Sequence, residues 1–146
     1  ISGLQLTTDL TVDKMYTDDI LLRAMLKNVI TNAVQYRDRR KRNAYVRVAT
    51  RIEGDKVIFT VRDNGIGIPN SQIKKVFDMF YRGTELSKGF GLGLYEAKII
   101  AKKLKGQICI NVNDKQETEF QMDVPINLKK SLSSIELAKT QQTQRS

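Results

Sequence analysis

One stretch of the chain, between Leu22 and Tyr36, carries apolar residues at the period of an α-helix and forms the centre of the predicted fold. Its core-facing stripe occupies positions i, i+4, i+7, i+8 and i+11 and consists of Leu22, Leu26, Val29, Ile30 and Ala33. A second stripe is polar and comprises Asn28, Asn32 and Gln35. Because asparagine is a mediocre helix former, this stripe indicates either a solvated helix face or a functional one.

Alternating patterns before this helix predict strands. Residues 4–16 contain two short alternating runs separated by the polar residues 7–9, which predicts a β-hairpin. The polar residues 17–19 then offer an N-cap and an acidic first turn for the helix. The helix is expected to end at about Tyr36.

A second hairpin is predicted after the helix. Residues 46–52 and 57–62 alternate, and the pair Gly54 and Asp55 between them suits a tight turn. The second strand leads into a glycine-rich segment, DNGIGIP at 63–69. Asn70 or Ser71 is expected to cap a short helix that extends to Phe80.

The remaining pattern completes an α+β sandwich. The segment GFGLGL at 89–94 precedes a helix that buries Ala97, Ile100, Ala101 and Leu104 and ends near Gly106, and residues 108–112 and 118–124 form a closing strand pair. The predicted fold is a mixed, mostly antiparallel sheet of about five or six strands with three helices layered on one face. Beyond Pro125 the pattern is lost, so we expect one domain over 1–125 and a polar, flexible tail over 126–146.

The composition fits one globular domain and limits its chemistry. With 146 residues, 40% hydrophobic and 28% charged, the chain can bury a core, and its apolar runs are too short to span a bilayer. The single cysteine, Cys109, excludes an internal disulfide and favours a reducing compartment, and its apolar surroundings predict a core or half-buried side chain. The sequence has no histidine, which excludes imidazole as a base, metal ligand or phosphoacceptor.

The net charge of +9 favours an anionic ligand or partner without choosing among nucleotide, nucleic acid, acidic protein and membrane surface. Five of the six residues from Arg37 to Arg42 are basic. Such a run could grip nucleic acid, but no aromatic residues interleave with the charges, which favours a solvated loop. The chain begins at Ile1 with no signal-like segment, and we expect it to be a piece of a longer protein.

Two glycine-rich segments carry candidate chemistry. In the first, Asp63 presents an acceptor-only carboxylate at a strand end, which can accept from the amino group of adenine and would repel the carbonyl oxygen of guanine. In the second, the glycines precede a helix, so free amides and the helix dipole favour a phosphate. An asparagine oxygen suits Mg²⁺, which takes most of its other ligands from phosphates and water. Each segment alone could equally be an ordinary turn between elements.

Together these motifs resemble the nucleotide-binding boxes of sensor histidine kinases. Asn28-x-x-x-Asn32-Ala33 resembles the N box, Asp63-x-Gly65-x-Gly67 the G1 box, Phe77-x-x-Phe80-Tyr81-Arg82 the F box, and Gly89-x-Gly91-x-Gly93-Leu94 the G2 box. The resemblance covers residues 4–125 in the expected order. It implies the ATP-binding sandwich shared with gyrase-type ATPases, mismatch-repair ATPases and a large heat-shock chaperone.

The resemblance also implies roles for individual residues. It makes Asn32 the Mg²⁺ ligand, Asp63 the group that recognises adenine, and Asn28 and Arg82 the catalytic residues near the phosphates. The implied ATP-binding set is Asn28, Asn32, Gln35, Tyr36, Asp63, Gly65, Ile66, Gly67, Ile68, Phe80, Tyr81, Arg82, Lys88, Gly89, Phe90, Gly91, Leu92, Gly93, Leu94 and Thr118. Two positions depart from the family pattern: Gln35 replaces the usual lysine, and Glu117 replaces a common glycine. The lid, 83–88, is short.

The implied activity is transfer of the γ-phosphate of Mg-ATP to a histidine on a separate dimerisation domain, which passes it to a response regulator receiver domain. The implied parent is a cytoplasmic or membrane-anchored homodimer, and we expect this fragment to be a monomeric, cytoplasmic domain that binds ATP with little turnover. The alternatives are a serine kinase that controls a sigma factor, a degenerate docking module of the same fold, and a nucleic-acid module. Asn28 argues against the serine kinase, since such enzymes typically place a glutamate base there.

Overall fold

The computed structural model describes residues 3–78, 93–130 and 132. In chain order the elements are β1 (Gln5–Leu10), α1 (Asp19–Gln35), β2 (Tyr45–Glu53), β3 (Lys56–Asp63), a 3-10 helix (Asn70–Lys75), α2 (Gly93–Lys103), β4 (Gln107–Val112) and β5 (Thr118–Pro125). The predictions made for Phe80, Tyr81, Arg82, the lid and residues 89–92, and for most of the tail, lie outside the described residues.

The five strands form one sheet in the order β1-β2-β3-β5-β4. β1 pairs with β2 in parallel, and the other neighbouring pairs are antiparallel. The mixed, mostly antiparallel sheet is therefore confirmed, with five strands in the described part of the chain. The β2–β3 hairpin is also confirmed: Glu53 lies opposite Lys56, and Gly54 takes a φ of 60° in the two-residue turn.

The hairpin predicted within residues 4–16 is wrong. This region contributes one strand, β1, which pairs with β2, and Tyr16 forms an isolated bridge with Asn127. Thr11 continues the pairing through its amide and hydroxyl, which bond to the hydroxyl and carbonyl of Thr50. Residues 7–9, predicted as the turn, lie within β1, and residues 11–15 belong to no strand. The local pattern also carried no information about the partner of β1, which lies beyond α1 in sequence.

The two α-helices begin and end through different local contacts. Asp18 is the N-cap of α1, as predicted, and its Oδ1 accepts a hydrogen bond from the amide of Leu21 at 3.1 Å. At the end of α2, Lys105 takes a φ of 61°, and the amide of Gly106 bonds to the carbonyl of Ala101 at 2.8 Å, which is the Schellman pattern. A Cβ on Gly106 would overlap a backbone carbonyl of β5, so close approach explains this glycine.

The short helix after the glycine-rich segment differs from the prediction. It is a 3-10 helix over Asn70–Lys75, its N-cap is Pro69, and no side chain caps it. The expected cap by Asn70 or Ser71 is therefore wrong. Pro69 supplies an extended entry that needs no side-chain cap, since its backbone is held at φ −58° and ψ 141°.

The core lies between one face of the sheet and the helices. α1 packs against β2 and β3, α2 packs against β4 and β5, and the helices contact each other. The largest fully buried side chains are Phe120, Met25, Leu104, Met122, Val29, Val46, Val57, Val61, Val76 and Val124. Because a single layer of helices covers one sheet face, the C-terminal end of α1 lies close to the end of β3 and the start of β5.

Cys109 does not lie in the core, contrary to the prediction. It is exposed on β4, where Ile108 and Ile110 turn inward and Cys109 faces outward beside Gln121. Partial desolvation and the carboxylates of Asp123 and Glu119 raise the pKa of its thiol, in that order of effect. An apolar run on an edge strand alternates between faces, which is why its middle residue is not buried.

The chain stays packed on the domain just beyond β5. The amide of Ile126 bonds to the carbonyl of Asp55, the amide of Leu128 bonds to the carbonyl of Tyr16, and the Asn127 side chain accepts from the amide of Lys130. Ile126 and Leu128 both pack against the core. The flexible character of the remaining tail stays a prediction.

Candidate nucleotide-binding site

A pocket opens where the end of β3, the C-terminal half of α1, the start of α2 and the start of β5 meet. It has about 450 Å³ of empty volume, including its open mouth. Its lining residues are Asn32, Tyr36, Asp63, Ile66, Gly67, Ile68, Pro69, Val76, Leu94, Thr118 and Phe120. The structure therefore brings together predicted site residues that are widely separated in sequence.

Asp63 is a buried carboxylate at the last position of β3, only 6% exposed. Its Oδ1 accepts a hydrogen bond from the amide of Gly65 at 2.9 Å. Burial raises the pKa of this carboxyl group to about 6, and the Gly65 amide and the charge of Lys41 oppose the increase. A buried acceptor in a pocket, with a pKa this close to neutrality, is typical of a binding site.

Thr118 lies directly opposite Asp63 in the pairing of β3 with β5. Its side chain is 3% exposed, and its hydroxyl Oγ1 is buried with no hydrogen-bond partner within the part of the chain that the structure describes. An unpaired buried hydroxyl costs free energy, which a polar ligand atom can recover. The paired ends of β3 and β5 thus present one carboxylate and one unsatisfied hydroxyl to the same cavity.

The segment of residues 63–68, here called the glycine loop, is held against the end of α1. The carbonyl of Tyr36 accepts from the amide of Ile66 at 3.0 Å, and a Cβ on Gly65 would overlap that same carbonyl. Gly67 takes a φ of 79°, which favours glycine. The two glycines are therefore required for different reasons: Gly65 allows close approach to the Tyr36 carbonyl, and Gly67 takes a left-handed backbone conformation. In the resulting loop, Ile66 and Ile68 line the pocket.

The polar stripe of α1 divides between two environments. Asn32 is half-buried and lines the pocket, whereas Gln35 is exposed and lies outside the lining set. Asn28 also lies outside the lining set. Its Nδ2 donates to Glu96 Oε2 at 3.3 Å, and a Cβ added to Gly93, at the start of α2, would lie 3.9 Å from the Cβ and from the backbone oxygen of Asn28. The roles predicted for Gln35 and Asn28 remain predictions.

Several contributors were not singled out from the sequence. Pro69, Val76 and Phe120 complete the pocket wall. Phe77, the first residue of the predicted F box, packs edge-on against Phe120 with ring centroids 6.3 Å apart. Glu96, the partner of Asn28, could have been noticed as an acidic residue in the first turn of α2. The predicted site residues Phe80, Tyr81, Arg82, Lys88, Gly89, Phe90, Gly91 and Leu92 lie outside the described residues.

Over 3–78, 93–130 and 132, no group of three or more cysteine, aspartate or glutamate side chains could hold a metal ion. No helix in these same ranges is long and apolar enough to cross a membrane.

The fold is that of the ATP-binding domain of the histidine kinase type, as comparison with known proteins shows. Residues 17–128 match the family of histidine kinase-, DNA gyrase B- and HSP90-like ATPases, so the chain belongs to that family. Over 115 residues it is 36% identical to the sensor protein CiaH of Streptococcus pneumoniae, covering 75% of this chain and 25% of that protein. Over 116 residues it is 32% identical to the aerobic respiration control sensor protein ArcB of Escherichia coli, covering 76% of this chain and 14% of ArcB.

Solved structures show the same fold. The mycobacterial sensor histidine kinase MprB superposes with a TM-score of 0.72 at 23% identity, covering 84% of this chain and 81% of that one. Full-length ShkA, solved in complex with AMPPNP, gives a TM-score of 0.70 at 24% identity, covering 85% of this chain and 26% of ShkA. The resemblance to sensor histidine kinases and the predicted fold class are thus confirmed. The chain spans a quarter or less of the length of the two curated relatives.

Proposed function

We propose that this domain binds Mg-ATP in the pocket between α1 and the ends of β3 and β5, and donates the γ-phosphate to a histidine on a separate dimerisation domain of its parent protein. The phosphate would then pass to the receiver domain of a response regulator. The observation that carries the proposal is that two buried polar groups line the same pocket from opposite positions of β3 and β5: the Asp63 carboxylate and the Thr118 hydroxyl, which has no partner among the described residues.

This pair suits adenine. The adenine amino group is a donor and would bond to the ionised carboxylate of Asp63, while Thr118 can donate to a ring nitrogen or accept from a bridging water. Guanine would place a carbonyl oxygen against the carboxylate, which is repulsive. Tyr36, Ile66 and Ile68 would flank the base, since they belong to the apolar and aromatic part of the lining.

Asn32 is the candidate protein ligand for Mg²⁺. Its amide oxygen is the hard, neutral ligand that Mg²⁺ accepts alongside phosphate oxygens and waters, so a single protein ligand is compatible with this ion. Mg²⁺ would neutralise phosphate charge during transfer. Asn28, held beside the start of α2 by Glu96, would lie near the phosphates, and Arg82, with the lid and the second glycine segment, would complete their binding.

The chain carries no acceptor for the phosphate, since it has no histidine. Asn28 occupies the position where a glutamate base would activate water or a serine hydroxyl, and an amide cannot accept that proton. We therefore expect ATP binding with little hydrolysis until the histidine-bearing domain is supplied. The proposed parent is a homodimeric, multidomain sensor, anchored in a membrane or free, with this domain monomeric and facing the cytoplasm.

The test is calorimetric titration of ATP and GTP, each with and without Mg²⁺, on the chain and on Asp63→Asn. We expect Mg-dependent binding that prefers ATP, and loss of this preference in Asp63→Asn, whose amide can no longer repel the guanine oxygen by charge. Labelled ATP with the parent's histidine-bearing domain added then tests transfer. Equal affinity for ATP and GTP, or no binding at millimolar ATP, would contradict the proposal.

A further inference from the structure

The loop that follows α1 is bonded directly to the glycine loop. This α1–β2 loop, residues 36–44, carries the basic run, which the sequence predicts to be solvated. It touches the glycine loop through the carbonyl of Tyr36, the ammonium of Lys41 and the carbonyl of Asn43. The backbone that carries Asp63 is therefore supported from one side by a separate segment of the chain.

Lys41 differs from the other cations of the basic run. Its Nζ donates to the carbonyl oxygen of Asn64 at 2.7 Å, and its charge lowers the pKa of Asp63 against the effect of burial. Arg39 and Arg42 are exposed, and in the described part of the chain neither forms a hydrogen bond or ion pair with the glycine loop. One cation of the run therefore acts on the pocket, and its neighbours provide matched comparisons.

The position of Lys41 is set by a tight turn. Asp38 is only 7% exposed, and its Oδ1 accepts from both the amide and the Nε of Arg40, each at 3.0 Å. The second oxygen of Asp38 accepts from the Arg40 guanidinium, also at 3.0 Å, and the amide of Lys41 bonds to the Asp38 carbonyl at 3.1 Å. This turn limits the freedom of the backbone from which the Lys41 side chain extends.

The side chain of Asn64 bonds to the backbone beside the start of β2, where a longer β3 would bond through its own backbone. Its Oδ1 accepts from the amide of Tyr45 at 2.8 Å, and its Nδ2 donates to the carbonyl of Asn43 at 2.9 Å. The oxygen and the nitrogen of this side-chain amide are thus both bonded to backbone, one at the first residue of β2 and the other in the α1–β2 loop. Because Asn64 directly follows Asp63, these bonds restrain the backbone from which the carboxylate projects.

We propose that Asn64 and Lys41 are positioning residues for adenine recognition: Asn64 restrains the backbone of Asp63, and the Lys41 ammonium favours the ionised carboxylate that accepts from the adenine amino group. The inference rests on the proposed function and extends it to two residues that do not line the pocket. Among the described residues that line the pocket with Asp63, none carries a positively charged side chain, and the polar ones are Asn32, Tyr36 and Thr118.

The experiment compares two nucleotides across pH. ATP and the triphosphate of purine riboside, which lacks the amino group, are titrated calorimetrically between about pH 5 and pH 8. In the unsubstituted chain we expect ATP affinity to fall as the pH drops through about 6, where Asp63 is protonated, and affinity for the analogue to change little. The variants are Lys41→Met, Lys41→Arg and Asn64→Asp, with Arg39→Met as the control that removes the same charge from the same loop.

Lys41→Met is expected to move the midpoint of the plot of ATP affinity against pH (the ATP profile) to higher pH. At neutral pH it should weaken ATP binding on the order of three- to tenfold. Binding of the analogue should stay within about twofold, since it does not use the carboxylate as an acceptor. Lys41→Arg should restore most of the profile, and Arg39→Met should match the unsubstituted chain. Asn64→Asp can still accept from the amide of Tyr45, but it loses the bond to the carbonyl of Asn43 and adds a negative charge beside Asp63, so the midpoint of its ATP profile should also rise.

A purely structural role would give a different pattern. If Lys41→Met and Asn64→Asp weaken ATP and the analogue equally, or if Arg39→Met gives the same profile as Lys41→Met, the inference is overturned while the proposed function stands. If the unsubstituted chain does not distinguish ATP from the analogue at any pH, the proposed role of Asp63 fails, and the inference fails with it.

Discussion

The buried carboxylate of Asp63 should lower the stability of the nucleotide-free domain at neutral pH, and Asp63→Asn measures the cost. Folding raises the pKa of this group from 3.8 to about 6, because desolvation outweighs the bond from Gly65 and the charge of Lys41. Between these two values the folded chain binds more protons than the unfolded chain. With respect to this group, the domain is therefore most stable below pH 3.8 and loses stability as the pH rises through 6.

The size of the effect follows from the pKa change. A rise of about two units corresponds to about 3 kcal/mol between the two protonation states. The amide that Asp63→Asn introduces carries no charge, and its oxygen can still accept from the amide of Gly65. We therefore expect Asp63→Asn to raise the free energy of unfolding by up to about 3 kcal/mol above pH 6, with a gain in melting temperature of about 5–10 °C.

The assay is urea unfolding of the nucleotide-free chain and of Asp63→Asn over a series of pH values. The gain should shrink as the pH falls through 6 and should vanish below 3.8. Asp38→Asn is the control, and its effect on the free energy of unfolding should have the opposite sign, since hydrogen bonds from Arg40 hold the pKa of Asp38 below its usual value. That variant should be less stable at neutral pH, with the loss disappearing in acid. A stability difference for Asp63→Asn that is absent, or that does not change with pH, would refute the assignment of a desolvated carboxylate.

Two further predictions concern packing and the unpaired hydroxyl. Gly106→Ala should lower the free energy of unfolding by about 2–4 kcal/mol, because its Cβ would overlap the carbonyl of Asp123. Gly3→Ala is the control, since its Cβ meets no neighbour, and should change this free energy by less than about 0.5 kcal/mol. Equal effects of the two variants in urea unfolding would contradict the close approach at Gly106. Thr118→Val removes the unpaired buried hydroxyl, so it should stabilise the nucleotide-free domain by about 1 kcal/mol and weaken ATP binding. Thr118→Ser keeps a hydroxyl and should restore ATP binding. If Thr118→Val instead loses stability, the hydroxyl is paired in solution.

Much of the fold could be predicted from local pattern. The stripe of α1, the cap at Asp18, the β2–β3 hairpin and the closing pair of β4 and β5 depend on residues a few positions apart, and all were found. The failures have several causes. Residues 4–16 looked like a hairpin, yet β1 pairs with β2 across the whole of α1. Cys109 faces outward because side chains on β4 alternate between the two sheet faces, and Pro69 takes the capping position expected for Asn70 or Ser71.

The candidate site divides in the same way. The sequence motifs indicated Asp63, Thr118 and the glycines as chemical types at suitable spacing, because glycine and carboxylate requirements are visible locally. The tertiary structure determined how far each group is removed from water. The pKa of Asp63, the unpaired hydroxyl of Thr118 and the contact of Lys41 with Asn64 all arise only after β3, β5 and the α1–β2 loop are assembled.

By itself, the sequence determined the class of the domain, the periods of its helices and strands, and the residue types available for chemistry, including the absence of histidine. Only the tertiary structure decided which strand completes the sheet and which polar atoms lie buried against one another. The physical reason is that helical period, capping and turn conformation are short-range properties of the backbone. Desolvation and electrostatic interaction depend on distances in space between residues far apart along the chain.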